Sequence, residues 1–264
     1  MLKRLFAARE ARDIVIVIAA ALLLWEGGVR LFHPSPLILP APSAILSNFL
    51  ATPGVYLRNL GFTLTMTCVG FALAVVLGVL LAVVIVSSPL IERTVYTLLV
   101  ALNSIPKVAL APLFVIWMGT GTEPKIAIAL MLAIFPIVID MVLGLRSVDP
   151  DMLNLARVSK ASPLSILVKI RFPCALPSLF AGMKVAISFA LVGAIVGEFV
   201  AGSQGLGFQI LMAQGQFDTV SVFVSLVLLG LFGTALFFAV DYAEGLLLPW
   251  HVSHRSRQSD AGSK

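Results

Sequence analysis

Charge is scarce in this chain. Of its 264 residues only 12% are Asp, Glu, Lys or Arg, and it has just three His, three Tyr and two Cys. Soluble domains carry about 25% charged residues, whereas a chain that is 59% hydrophobic with a mean hydropathy of +1.05 falls among polytopic membrane proteins. Cys68 and Cys174 fit no metal spacing, and the topology below sets them near opposite bilayer faces, so they read as small packing residues. His33, His251 and His254 lie near ends or loops, and no His-Glu-x-x-His or Gly-x-Ser-x-Gly run occurs, which argues against an intramembrane enzyme. A Gly-x-x-x-x-Gly-Lys-[Ser/Thr] loop is also missing, so the chain has no means of its own to cradle ATP, and no metal or cofactor is expected on it. The net charge of +5 does not require nucleic acid, because a membrane protein that gathers Lys and Arg on one side also looks basic.

What is present is apolar length. A membrane helix needs about 20 apolar residues to cross a core of about 30 Å. Such runs occur at Asp13 to Phe32, Leu60 to Val86, Val95 to Met118, Lys125 to Leu145, Leu176 to Val200 and Val220 to Leu248. The basic leader MLKRLFAAREAR could open a signal peptide, but Trp-Glu-Gly-Gly-Val-Arg follows Leu24 where a small-residue cleavage site would stand. A loop with Pro34, Pro36, Pro40 and Pro42 separates the first two spans, and Pro106 and Pro112 break the third. The fold class is therefore an all-α membrane protein of about six spans, one domain over residues 1–264. Four basic residues in the tail 1–12, Arg93, five between Arg146 and Arg171 and three in the tail 249–264 lie on one side. Only Arg30, Arg58 and Lys125 face the other. The positive-inside rule then puts both termini and the segment 147–173 in the cytoplasm.

That segment is the least oily internal stretch. Asp149 can cap a helix starting at Pro150, Ser162 a second starting at Pro163, and Pro173 is expected to end the second. Met152, Leu155, Leu164, Leu167 and Val168 give this compact knob an apolar surface. It can rest on lipid headgroups or dock a soluble partner, and composition does not separate the two.

The run Asn154-Leu155-Ala156-Arg157, then Lys160-Ala161-Ser162-Pro163 and a hydrophobic stretch to Phe172-Pro173, resembles the cytoplasmic EAA loop of binding-protein-dependent ABC importer permeases. Trp25-Glu26, Ser104-Ile-Pro-Lys-Val-Ala-Leu-Ala-Pro112, Trp117-Met-Gly119, Phe135-Pro136, Arg146-Ser-Val-Asp-Pro150 and Gly197-Glu-Phe199 followed by Gly205-Leu-Gly207 are similar to the branch that imports nitrate, sulfonates, taurine and pyrimidine precursors. The resemblance implies a type I importer transmembrane domain in a bacterial inner membrane. It also implies a homodimer, cytoplasmic ATPase subunits that bind the ATP and dock on the knob, and an extracytoplasmic binding protein that delivers solute. Two positions depart from the pattern, with Asn154 for Glu and Lys160 for Gly. Loss of the acid removes a charge contact, and a side chain at a turn of positive φ costs about 1 kcal/mol.

Ionisable groups at membrane depth cost about 2.5–3.5 kcal/mol and are functional candidates by default. Glu26 and Arg30, spaced i,i+4, read as a structural pair. Lys184 can snorkel to the cytoplasmic interface, and Asp241 and Glu244 can reach water there. Lys107, beside Asn103 and Ser104 on the broken helix, either attracts a polar or anionic solute or pairs with Asp140 or Glu198. The resemblance places these five residues along the pathway or gate. A carrier driven by titration of Asp140 and Glu198 is the competing function, though no inverted repeat supports it. Residues 201–217, rich in Gly, read as a partly re-entrant element or as an interfacial turn.

Overall fold

The computed structural model describes residues 2–88 and 105–249, with Ile91, Thr94, Leu98 and Ala101 between them. Among the described residues there are helices and no strands. These are α1 (Leu2–Phe32), α2 (Pro42–Ala51), α3 (Pro53–Ser87), a 3-10 turn Lys107–Leu110 leading into α4 (Ala111–Met118), α5 (Glu123–Arg146), α6 (Pro150–Val158) and α7 (Pro163–Ile166). A π turn, Leu167–Arg171, joins α7 to α8 (Phe172–Ala201), and α9 (Leu206–Gly215) and α10 (Thr219–Leu247) follow. α1, α3, α5, α7 joined to α8, and α10 are each long and apolar enough to cross a membrane. The third span of the sequence reading is described chiefly from Ile105 onward.

In lipid no hydrophobic force draws two apolar helices together, so they pack through close backbone approach at small residues. α8 carries Gly182, Ala186, Ala190 and Ala194 at intervals of four, and α3 carries Gly70, Ala74, Gly78 and Ala82 in the same way. Both stripes face α5, which packs along α8 and α3 and forms the centre of the bundle. Ala129 sits where the three helices meet. A Cβ on Gly193 would lie 2.6 Å from the Ala129 Cα, and one on Gly70 2.6 Å from the Ala129 Cβ. α1 stands at the periphery with its span exposed, held by Trp25 against Phe223 and by Glu26 at the start of α2.

Several expectations change. The Pro-rich loop is shorter than expected, because Pro42 opens α2 rather than extending the loop; its fixed φ suits a first helical turn. Pro112 likewise sits in the first turn of α4, so the break in this segment belongs to Pro106 and the 3-10 turn. Pro173 does not end the second knob helix. The Phe172 amide reaches back five residues to the Leu167 carbonyl, and this widened turn admits the Pro173 ring without stopping the chain, so α7 runs on into α8. Cys68 and Cys174 are free but exposed, not packed.

Candidate functional site

The knob is built from local signals. The Asp149 side chain accepts from the Asp151 amide at 2.8 Å, and the Ser162 Oγ from the Ser165 amide at 3.2 Å, with Pro150 and Pro163 opening the two helices. Between them the chain turns in a Schellman motif. The Ala161 amide donates to the Ala156 carbonyl at 3.0 Å and the Lys160 amide to the Arg157 carbonyl at 2.9 Å. Lys160 is the residue that must go left-handed, and its φ is +55°. Asn154 accepts from Arg157 Nη1 at 3.4 Å. Ala156 is half-buried, whereas Leu155 is 69% exposed, Val158 80% and Leu164 69%. The capped helices thus leave these apolar side chains exposed.

Lys107 lies at the start of the 3-10 turn, with Nζ 4.3 Å from the centroid of the Phe135 ring. It lines a cavity of about 310 Å³ with Leu132, Phe135, Pro136, Ile139 and Phe189. Because Pro136 has no amide, the Leu132 carbonyl in this wall lacks its helical donor. Asn103 and Ser104 lie outside the described residues.

Asp140 and Glu198 are not brought together. Asp140 packs against Gly182 of α8, where an added Cβ would sit 2.9 Å from its side chain. Glu198 belongs to the other end of α8, opposite Lys125, and the α5 segment from Lys125 to Asp140 spans about 22 Å.

Glu198 is fully buried. Its carboxylate accepts from Thr63 Oγ1 at 2.8 Å and from the Gly207 amide at 2.7 Å. The Leu206 amide donates to Thr63 Oγ1 at 2.9 Å, the Gly205 amide to Asn59 Oδ1 at 3.1 Å, and Asn59 Nδ2 to Gln209 Oε1 at 2.8 Å. A Cβ on Gly205 would collide with the carboxylate, and one on Gly207 would come within 2.8 Å of it. Buried Lys125 packs beside Gly197 and donates to the Gly121 and Thr120 carbonyls. α3, α8 and the first turn of α9 are therefore joined by one polar network centred on Glu198, with Lys125 of α5 beside it. The segment 201–217 holds a ten-residue helix docked on α8, α10 and α3. Sequence reading missed Asn59, Thr63, Lys125 and Gln209. The available signal was Gly205-x-Gly207 after Glu198, glycines that leave room for a carboxylate.

Two further groups of charges pair. Glu26 accepts from Arg30 at 2.8 Å and from the Ser43 amide and hydroxyl at 3.0 and 2.8 Å, which ties α1 to α2. Lys184, Asp241 and Glu244 meet one another. Lys184 bridges both carboxylates at 2.5 Å, because a cation on α8 faces two acids one turn apart on α10.

Comparison with known proteins matches the family described as "Binding-protein-dependent transport system inner membrane component" to residues 74–250. The formylaminopyrimidine transport permease protein ThiX of Halalkalibacterium halodurans is 33% identical over 94% of this chain and 98% of its own. The riboflavin transport system permease protein RibX of Chloroflexus aurantiacus is 33% identical over 92% and 91%, and the nitrate import permease protein NrtB of Synechocystis is 28% identical over 89% and 88%. In three dimensions the chain is similar to the inward-facing MetNI methionine ABC transporter. The TM-score is 0.65 at 24% identity, covering 73% of this chain and 96% of that one, which bears on the fold.

Proposed function

Because the chain belongs to the binding-protein-dependent transport system inner membrane components, the permease subunits of ABC importers, we propose that it passes a small polar or anionic solute. In this reading it works as a homodimer, with ATPase subunits docked on α6 and α7. The observation that carries the docking is the apolar face of Leu155, Val158 and Leu164, exposed on helices that are capped and turned rigidly. A soluble ATPase that closes on this face moves α7, and α7 continues without a stop into α8 at the centre of the bundle. The residues assigned to docking are Asn154 to Arg157, Lys160 to Pro163, and Pro173, whose widened turn lets the two helices run on. A binding protein on the opposite face delivers the solute, and both termini lie on the ATPase side.

Along the pathway, Lys107 offers a cation at the wall of the Phe135 cavity, which suits an anionic or electron-rich solute. Nitrate, sulfonates, taurine and pyrimidine-like molecules all meet that description. The competing carrier driven by Asp140 and Glu198 gains no support from the comparisons, and the Glu198 carboxylate is already held by Thr63 and Gly207.

One experiment tests both parts. The permease is expressed with its ATPase and binding protein, and copurification and uptake are measured for Ala156→Asp and Lys107→Met. Ala156→Asp puts a charge into the docking face, and the ATPase should no longer copurify although the permease inserts normally. Lys107→Met should leave the complex assembled and lower uptake. Wild-type copurification and uptake with Ala156→Asp would return the knob to the headgroups. Unchanged uptake with Lys107→Met would remove Lys107 from the pathway.

A further inference from the structure

Between the knob and the end of α3 lies a second cavity of about 600 Å³. Val83, Val86 and Ser87 form one wall, Leu164 and Leu167 another, and two arginines, Arg157 and Arg171, line it together. No Asp or Glu does. Among the described residues Arg171 Nε, which is buried, has no hydrogen-bond partner, and Arg157 donates to the amide oxygen of Asn154 at 3.4 Å. The described acids nearest to the two arginines in sequence, Asp149 and Asp151, sit at the start of α6, where Asp149 caps the helix. A guanidinium donor enclosed without an acceptor is costly, and the fork geometry of Arg matches a phosphate or carboxylate that offers paired oxygens.

The place of the cavity selects among anions. Ser87 is the last residue of α3, a helix long and apolar enough to cross a membrane, so the cavity lies at the knob end of that span. The α3 side chains leading away from it, Val84, Leu80, Leu77, Val76 and Leu73, are exposed and apolar. A ligand that fits both halves carries a phosphate at one end and acyl chains at the other. We propose that the cavity between α3 and the α6–α7 knob is a binding site for an anionic phospholipid, its phosphate held by Arg157 and Arg171 and its chains laid along α3. The lipid fills the gap between the knob and α3 and braces the knob against the bundle.

The test uses the purified full chain, stripped of lipid in detergent, with phosphatidylglycerol, phosphatidylcholine and inorganic phosphate as separate probes. Thermal stability and retained lipid by native mass spectrometry are the readouts. Neither involves the ATPase or transport, so the result stands apart from the docking reading. Phosphatidylglycerol should stabilise the wild type and stay bound, and the other two should not. Arg171→Gln and Arg157→Gln should each weaken its apparent affinity about tenfold, the loss of one charge-assisted contact, whereas Arg58→Gln should not. Ser87→Asp supplies the missing acceptor from within, and this variant should fold and ignore the lipid even if Arg171→Gln fails to fold. Equal stabilisation by phosphatidylcholine, a full effect of inorganic phosphate alone, or an undiminished lipid response in Ser87→Asp would overturn the proposal.

Discussion

Lys160 holds its backbone at φ +55° in the turn between α6 and α7, a conformation that an L side chain disfavours by about 1–2 kcal/mol and glycine adopts freely. The turn survives because its two Schellman bonds close only with that residue left-handed. Lys160→Gly should therefore tighten the knob by about 1 kcal/mol, slightly offset by the greater freedom of glycine in the unfolded chain. Hydrogen exchange at Lys160 and Ala161 should slow about fivefold. Faster exchange in the variant would mean that the lysine side chain itself holds the turn. The resemblance marked this position as a place where Gly is usual, and the structure supplies the reason. Asn154 was equally legible as a departure, but its pairing with Arg157 depends on which side chains share a helix face.

At the scale of elements, α9 is fastened through a few backbone amides. Gly207 donates to Glu198, Leu206 to Thr63 and Gly205 to Asn59, so the free amides at the start of this helix are satisfied by α3 and α8 rather than by its own cap. Removing the carboxylate leaves the Gly207 amide buried without its acceptor, and Thr63 with only the Asn59 carbonyl at 3.2 Å, at about 1–3 kcal/mol. Glu198→Ala should raise hydrogen exchange across Leu206–Gly215 while the knob, far along α8, exchanges as before. Unchanged exchange in α9 would show that apolar packing of Leu206 and Ile210 alone secures it. The sequence marks Glu198 as expensive at membrane depth without distinguishing a gate from an anchor, because the partners come from residues 59–63 and 205–209, more than a hundred positions apart. Lys184 with Asp241 and Glu244 is the same case: each charge was visible, and the pairing needed α8 and α10 side by side.

For the whole molecule, side matters as much as fold. With the positive-inside bias as its basis, the proposed arrangement puts the knob in the cytoplasm and the turn after α1 outside. In a chain with Cys68 and Cys174 replaced by serine, Ser35→Cys should react with an impermeant thiol reagent in intact cells and Ser159→Cys should not. Labelling at Ser159 and protection at Ser35 would invert the molecule. Sequence alone determined that the chain is a bundle of apolar helices with one capped polar knob, because span length, proline position and cap residues act within a few residues of themselves. It did not determine that Pro173 would be absorbed by a π turn, that Pro42 would open a helix, or that small-residue stripes on α3 and α8 would both close on α5. Nor did it determine that Arg157 and Arg171 would face one cavity. Those outcomes rest on which helices lie against each other, and among helices uniformly apolar that choice is made by close packing and buried polar contacts, which only the assembled structure brings into reach.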